Sequence, residues 1–274
     1  MSGDIPPPAT AAAGRHWKKP PFIRSSLLRW SLIVGAAAYL ALVFGTMDVN
    51  WGRVADGIPR GQRFIAAFFP PDFVSRAGDI FDGIMESLWI TIISTVAGIA
   101  LSIPVGLGAA RNLSPRPVYL VSRAILALSR TFPEIIVALF AVKLFGFGPF
   151  AGFIALSVGT IGFYGKLLAE DIEDMDPSQA EAVKATGAGW FQWLNYAVQP
   201  QVMPRMIGLG MYRLDINFRE SAVVGIVGGG GIGATLLTSF DRYEFDSAAA
   251  ILLIIIGIVM AVEYSSSYIR KWVQ

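Results

Sequence analysis

Apolar positions in this chain come in blocks much longer than a strand or an ordinary amphipathic helix. Trp30 to Met47 and Ser87 to Ala110 contain no charged residue. A helix crosses about 30 Å of hydrocarbon in roughly 20 residues, so each block predicts a membrane span. Phe150 to about Leu168 and Ala248 to Tyr264 predict two more. Two further blocks are apolar but interrupted. Val118 to Phe145 holds Arg123, Arg130, Pro133 and Glu134, and Met206 to Val227 holds Arg213, Asp215, Asn217, Arg219 and Glu220. Counting both gives an all-α membrane protein of about six transmembrane helices. Pro104 predicts a kink in the Ser87 span.

The polar stretches divide the chain. Residues 1–25, Pro/Ala-rich with Arg15, Lys18 and Lys19, predict a disordered cytoplasmic tail. The long N-terminal region and the lack of a clear small-x-small cleavage site argue against a signal peptide. Residues 26–83 are expected to hold the first span and an external loop, and residues 84–274 the main transmembrane domain. In the loop, Phe64, Ile65, Phe68 and Phe69 recur at helical spacing. That pattern fits a short helix in the membrane interface and fits equally a helix packed on another span.

A polar excursion at about 171–204 separates the fourth and fifth spans. Asp176 can cap a helix, Pro177 suits its first position, and Gln179 can reach back as in a capping box. Gly187 and Gly189 should stop that helix after about three turns. A second short helix carrying Trp190, Phe191 and Trp193 should end at Pro200 and Pro204. Ala182, Ala185 and Ala188 are small enough for close approach by another protein, and Glu181 offers a carboxylate. The alternative for Glu181 is a solvated surface charge.

Basic residues set the orientation. With the N-terminus inside, the inner connections hold Arg15, Lys18, Lys19, Arg24, Arg29, Arg111, Arg116, Lys166, Lys184, Arg205, Arg270 and Lys271. The outer ones hold only Arg53, Arg60, Arg63, Arg76 and Arg242. This bias predicts cytoplasmic termini and a cytoplasmic 171–204 loop.

Composition agrees with a bilayer protein: 54% of residues are hydrophobic and 15% charged, against about 25% charged in soluble domains. A net charge of +2 gives no reason to expect nucleic acid. With no cysteine, and a single histidine, His16, in the tail, thiol catalysis, a Ser-His pair and a zinc site have almost no material. No catalytic or metal-ligating residue is therefore expected.

Charges inside spans cost roughly 2.5–3.5 kcal/mol each at a helix centre, so they call for an explanation. Arg130 and Glu134 are four apart, as are Asp215 and Arg219, and Arg213 lies seven before Glu220. Each pair could share a helix face. Two readings fit: the pairs neutralise each other and hold helices together, or some arginines line an anion route. The run Gly228, Gly229, Gly230 and Gly231 likewise admits backbone contact with an anion, a flexible outer gate, or a close helix contact.

Two nucleotide motifs fail on context. Gly228, Gly230 and Gly233 match the dinucleotide fingerprint, but their flanks are predicted spans rather than a strand and its helix. Gly165-Lys166 resembles the end of a P-loop, but Thr160 and Leu167 stand where Gly and Ser/Thr are required.

The excursion resembles the cytoplasmic "EAA" loop of ABC importer permeases. Glu181, Ala182, Gly187 and Pro200 fall at matching positions, while Val183, Ala197 and Gln199 depart from the pattern. From about Glu86 onward the chain resembles the phosphonate branch of those permeases. The resemblance rests on Ser102–Leu107, Gly148–Gly152, Gly165–Glu170, Ala197–Gln201, Tyr212–Arg219 and Val227–Gly233. It implies a type I ABC importer permease fold in a bacterial inner membrane. It further implies a homodimeric translocation path and two ATPase subunits holding ATP and Mg, so that this chain binds no cofactor itself. An external binding protein would deliver phosphonate, phosphate or a related oxyanion. Glu181, Ala182, Ala185, Gly187 and Pro200 would couple the ATPase to the spans. An ABC permease for another small solute remains an alternative. Uptake driven by an ion gradient without ATP would favour a stand-alone secondary transporter instead. Lipid turnover by the isolated chain would favour an intramembrane lipid-modifying enzyme.

Overall fold

The computed structural model describes residues 23, 25–47 and 50–273, and every regular element in them is helical. Nearly all of the predicted 1–25 tail, including His16, lies outside the described residues. In chain order the helices are α1 (Ser26–Thr46), α2 (Trp51–Ala66), α3 (Ala77–Ala109), α4 (Arg116–Thr131), α5 (Glu134–Phe145) and α6 (Pro149–Glu173). They continue with α7 (Pro177–Ala185), α8 (Trp190–Trp193), α9 (Gln199–Val224), α10 (Ile232–Asp241) and α11 (Phe245–Val273). Single π-helical turns at Leu194–Val198 and Gly225–Gly229 flank α9.

The chain forms two units, residues 1–62 and 63–274. The first holds α1, an apolar helix of 21 residues capped by the Ser25 hydroxyl, which accepts from the Leu28 N–H at 3.4 Å. It also holds most of α2.

In the second unit α3 and α6 form the central pair. Their contact is made by small residues: Ser94, Thr95, Gly98, Ser102 and Gly106 on α3, and Ala155, Ser157, Thr160 and Gly165 on α6 are buried. The fit leaves no spare room at Gly98, where a Cβ would come within 2.5 Å of Thr160. Large apolar side chains such as Trp89, Ile93, Val96 and Leu101 instead stay on the exposed face of α3. Small residues inside and large ones outside are what helix packing in lipid favours, because lipid solvates Leu as well as protein does. Pro104 does not break α3, which runs on to Ala109.

Among the described residues four helices, α1, α3, α6 and α11, are long and apolar enough to cross a membrane, and counting each of two bent pairs as one span brings the number to six. The bends correct the expected spans. The third is not one helix: α4 and α5 meet at 92°. Phe132 is extended, at φ −100° and ψ 125°, as a residue before proline prefers, and Pro133 opens α5. The fifth does not begin at Met206. Helix runs from Trp190 to Gly229, so Pro200 and Pro204 do not end the short piece before it. The π turn ahead of Pro200 bonds the Gln199 N–H to the Leu194 carbonyl, five residues back, and Pro200 then lies in the first turn of α9. Gly228 at φ +101° ends the run, and α10 leaves at 54°.

Phe64 and Phe68 resolve the loop alternatives for themselves. They pack with Phe240 and Phe245, with ring centroids 5.0–6.2 Å apart. Ile65 and Phe69 remain exposed.

Candidate functional site

Two constellations stand out, one at the polar end of α6 and α9 and one inside the helix bundle. The first is built on α7. Asp176 caps it, its side chain accepting from the Ser178 N–H at 2.9 Å. These bonds to Ser178 hold the Asp176 carboxyl below the usual carboxylate range. The reach-back expected of Gln179 is replaced from another helix: Gln201 on α9 accepts the Asp176 N–H at 3.0 Å through its side-chain oxygen. Gly187, at φ +79°, donates its N–H to the Lys184 carbonyl and reverses the chain. Gly187 has open space around its Cβ position, so conformation rather than crowding selects glycine.

Only Ala180 of α7 is buried. Its carbonyl accepts from the Trp193 indole N–H at 3.0 Å, and Lys184 lies 4.3 Å over the same ring. Trp193 thus pins α7 from below, while Glu181, Ala182, Ala185 and Gly187 stay exposed. Ala182, Val183, Thr186, Gly187, Gln192 and Tyr196 line an open cleft of about 650 Å³. Pro200 is also exposed, on the far side of the π turn.

Three polar ties fix the root of this loop. Glu173 accepts from Arg123 at 2.9 and 3.0 Å and from the Arg111 backbone N–H at 2.7 Å. Asp171 pairs with Arg205 at 2.7 Å, joining α6 to α9. Gln201 makes the third. Sequence reading placed Trp190, Phe191 and Trp193 on one short helix but missed which of them turns inward. Trp193 and Trp190 are three apart on a short helix, and only the fold shows that Trp193 is covered.

The second constellation centres on Arg213, which is 3% exposed. Its Nη2 lies 3.3 Å from both Glu134 on α5 and Glu220 on α9, and its Nε donates to Thr160 on α6 at 3.1 Å. Asn217, fully buried, donates to Thr95 on α3 at 2.7 Å and to Thr160 at 3.0 Å. One connected network therefore ties α3, α5, α6 and α9. The Arg213–Glu220 spacing was legible in the sequence; Thr95 and Thr160 carried no signal of their own.

The Arg130–Glu134 pairing expected from spacing does not form. The bend at Pro133 points the two away, Glu134 turns to Arg213, and Arg130 has no ion-pair partner within 4.0 Å among the described residues. Asp215 and Arg219 do pair along α9. Asp215 is buried with its Oδ1 unpartnered, whereas the Arg219 side chain is 47% exposed.

The glycine run is packed against its neighbours. A Cβ on Gly231 would collide with the Ser87 hydroxyl, and one on Gly230 would meet the Pro149 nitrogen at 2.9 Å. Ser87 accepts from the Ile232 N–H at 2.9 Å, and Gly228 accepts from the Gly148 N–H at 3.0 Å. Gly229 is buried beside Gly152. Helices flank the run on both sides, so no dinucleotide turn is present there, and Gly165-Lys166 lies inside α6.

A bundle of bent helices with a helix–turn–helix between two spans is the architecture of a multi-pass membrane protein. Residues 102–274 match the family described as binding-protein-dependent transport system inner membrane component, and the chain belongs to that family. The phosphate-import permease protein PhnE of Mycolicibacterium smegmatis is 44% identical over 203 residues, which are 74% of this chain and 38% of that protein. This chain thus spans well under half of that relative's length. The phosphite transport system permease protein PtxC of Stutzerimonas stutzeri is 35% identical over 242 residues, 88% of this chain and 87% of its own. Among solved structures, the inward-facing MetNI methionine ABC transporter matches with a TM-score of 0.63 at 22% identity, covering 71% of this chain and 96% of that one. The fold is that of a type I ABC importer permease.

Proposed function

We propose that this chain forms half of the translocation path of an ATP-driven importer for phosphate, phosphite or a phosphonate. The observation that carries the transport reading is α7, held out from the bundle, pinned by Trp193 and tied at its root to both α6 and α9. A rigid helix so anchored passes a push on its exposed face directly to two spans. Glu181, Ala182 and Ala185 form that face, Gly187 sets the turn behind it, and Pro200 lies in the first turn of the helix leading into the bundle. ATP and Mg belong to two partner subunits docked there, on the cytoplasmic side.

The cargo class is supported by the relatives, which are named for phosphate and phosphite. An external binding protein delivers the anion. The second half of the path is another copy of this chain or a sister permease; the mycobacterial relative is long enough for a second such domain. Arg219 supports a facing partner. It sits on an exposed stripe of α9 and the π turn after it with Tyr212, Val223 and Ile226, and a charge there is costly against lipid. Arg130, which has no ion-pair partner within 4.0 Å among the described residues, is another cation able to meet an anion. The Arg213 network, the Asp215 carboxylate and the run from Gly228 to Gly231 act as the frame of the route.

Reconstitution tests this reading. Proteoliposomes holding the permease, its ATPase and its binding protein should take up radiolabelled phosphate, phosphite or methylphosphonate only with ATP. Uptake of a neutral solute in place of all three would overturn the cargo assignment. Uptake that follows an ion gradient without ATP would overturn the coupling assignment.

A further inference from the structure

The apolar side of α2 is left exposed, and it is built differently from a span. Trp51, Val54, Ala55, Ile58 and Ile65 fall within an arc of about 100° on a 3.6-residue helix. Arg53, Asp56, Arg60 and Arg63 occupy the opposite side. Trp51, Val54, Ile58 and Ile65 are all at least half exposed. Gly52, Gly57, Gly61 and Pro59 lie inside the helix, which makes it a poor helix in water and dependent on a surface to lie against.

Chain length supplies that surface. Only residues 47–50 separate the end of α1 from the start of α2, and four residues reach at most about 14 Å. A span of 21 residues is about as long as the hydrocarbon is thick, so α2 must begin close to the bilayer surface. Its charge fits that surface. Three arginines against one aspartate give an excess of positive charge on the side where the other connections are poor in it. Arg53, Arg60 and Arg63 are three of the five basic residues placed outside, against the usual inside bias.

We infer that α2 lies along the outer bilayer surface, with its apolar stripe in the acyl boundary and its arginines drawn to anionic phospholipid headgroups. The helix anchors the external segment in the plane of the membrane and makes its ordering depend on lipid charge. This inference is independent of the cargo and of the ATPase partner.

The chain has no cysteine, so single-cysteine labelling is clean. Full-length permease carrying a nitroxide at Ile58→Cys or Asp56→Cys is placed in nanodiscs of phosphatidylglycerol or phosphatidylcholine. In phosphatidylglycerol, the label at 58 should be reached by oxygen and shielded from a water-soluble nickel complex, with the reverse at 56. Replacing Arg53 and Arg63 by Gln should weaken that protection about fivefold for each arginine removed. Equal nickel access at both positions in phosphatidylglycerol would overturn the inference. So would protection that appears only after the external binding protein is added, which would make the face a protein contact. Protection indifferent to lipid charge and to both arginines would overturn the headgroup recognition.

Discussion

Arg213 sits between two carboxylates, and that arrangement gives the sharpest forecast. Removing the guanidinium by Arg213→Gln leaves Glu134 and Glu220 facing the same interior point, each with about 28% and 27% of its side chain exposed. It also takes a donor from Thr160, which is fully buried and anchors Asn217. Removing one partner of a buried ion pair costs about 3–5 kcal/mol, because the other charge is left uncompensated. In a domain of this size each kcal/mol moves the melting temperature by roughly 2–4 °C, so Arg213→Gln should lower it by roughly 6–20 °C. Glu220→Gln alone should be mild, since Arg213 and Glu134 still pair. Adding Glu134→Gln and Glu220→Gln to Arg213→Gln should restore much of the lost stability but not the geometry that Arg213 imposes. The assay is thermal unfolding of the detergent-purified permease followed by tryptophan fluorescence. Wild-type stability in Arg213→Gln would refute the framing role, and loss of uptake in that stable variant would return Arg213 to the anion route.

Gly187→Val should leave insertion intact but weaken ATPase association and abolish uptake, because a β-branched residue at φ +79° costs at least about 1–2 kcal/mol; Gly187→Asn should be tolerated, and co-purification with the ATPase reads the difference. Arg219→Gln should impair uptake while the complex still assembles, and adding Asp215→Asn should not restore uptake; recovery in the double variant would make the pair purely structural. Acid should loosen α7. The Asp176 pKa is lowered in the folded state, so its contribution is present above the ordinary carboxylate pKa and is lost as pH falls through the lowered value. Hydrogen exchange across residues 177–185 should show that acid dependence, and Asp176→Asn, which keeps a cap, should remove it.

The sequence carried much of this fold because lipid imposes long uniform blocks. Phe150–Leu168 falls inside α6, Ser87–Ala110 falls inside α3 except for Ala110, its extended C-cap, and the Asp176-Pro177 start and Gly187 stop of α7 follow from local backbone chemistry. Misreadings arose where a tertiary partner outcompetes spacing. Arg130 and Glu134 are four apart, yet a proline between them turns the helix and sends Glu134 to Arg213. Pro200 and Pro204 looked like terminators because the π turn that admits Pro200 has no sequence signature. Gln201 replaces Gln179 at the Asp176 N–H from 25 residues away, a contact that no local pattern encodes. Thr95 and Thr160 look like ordinary span residues until Arg213 and Asn217 converge on them.

Cross-linking at α7 tests the central claim most directly. In the otherwise cysteine-free chain, Ala182→Cys should join a short thiol cross-linker to the ATPase subunit in gently extracted complex, with a yield that changes when ATP binds. Tyr243→Cys, exposed in the turn between α10 and α11, should give none. An ATPase bound to the complex but cross-linked through Tyr243→Cys and never through Ala182→Cys would contradict the account.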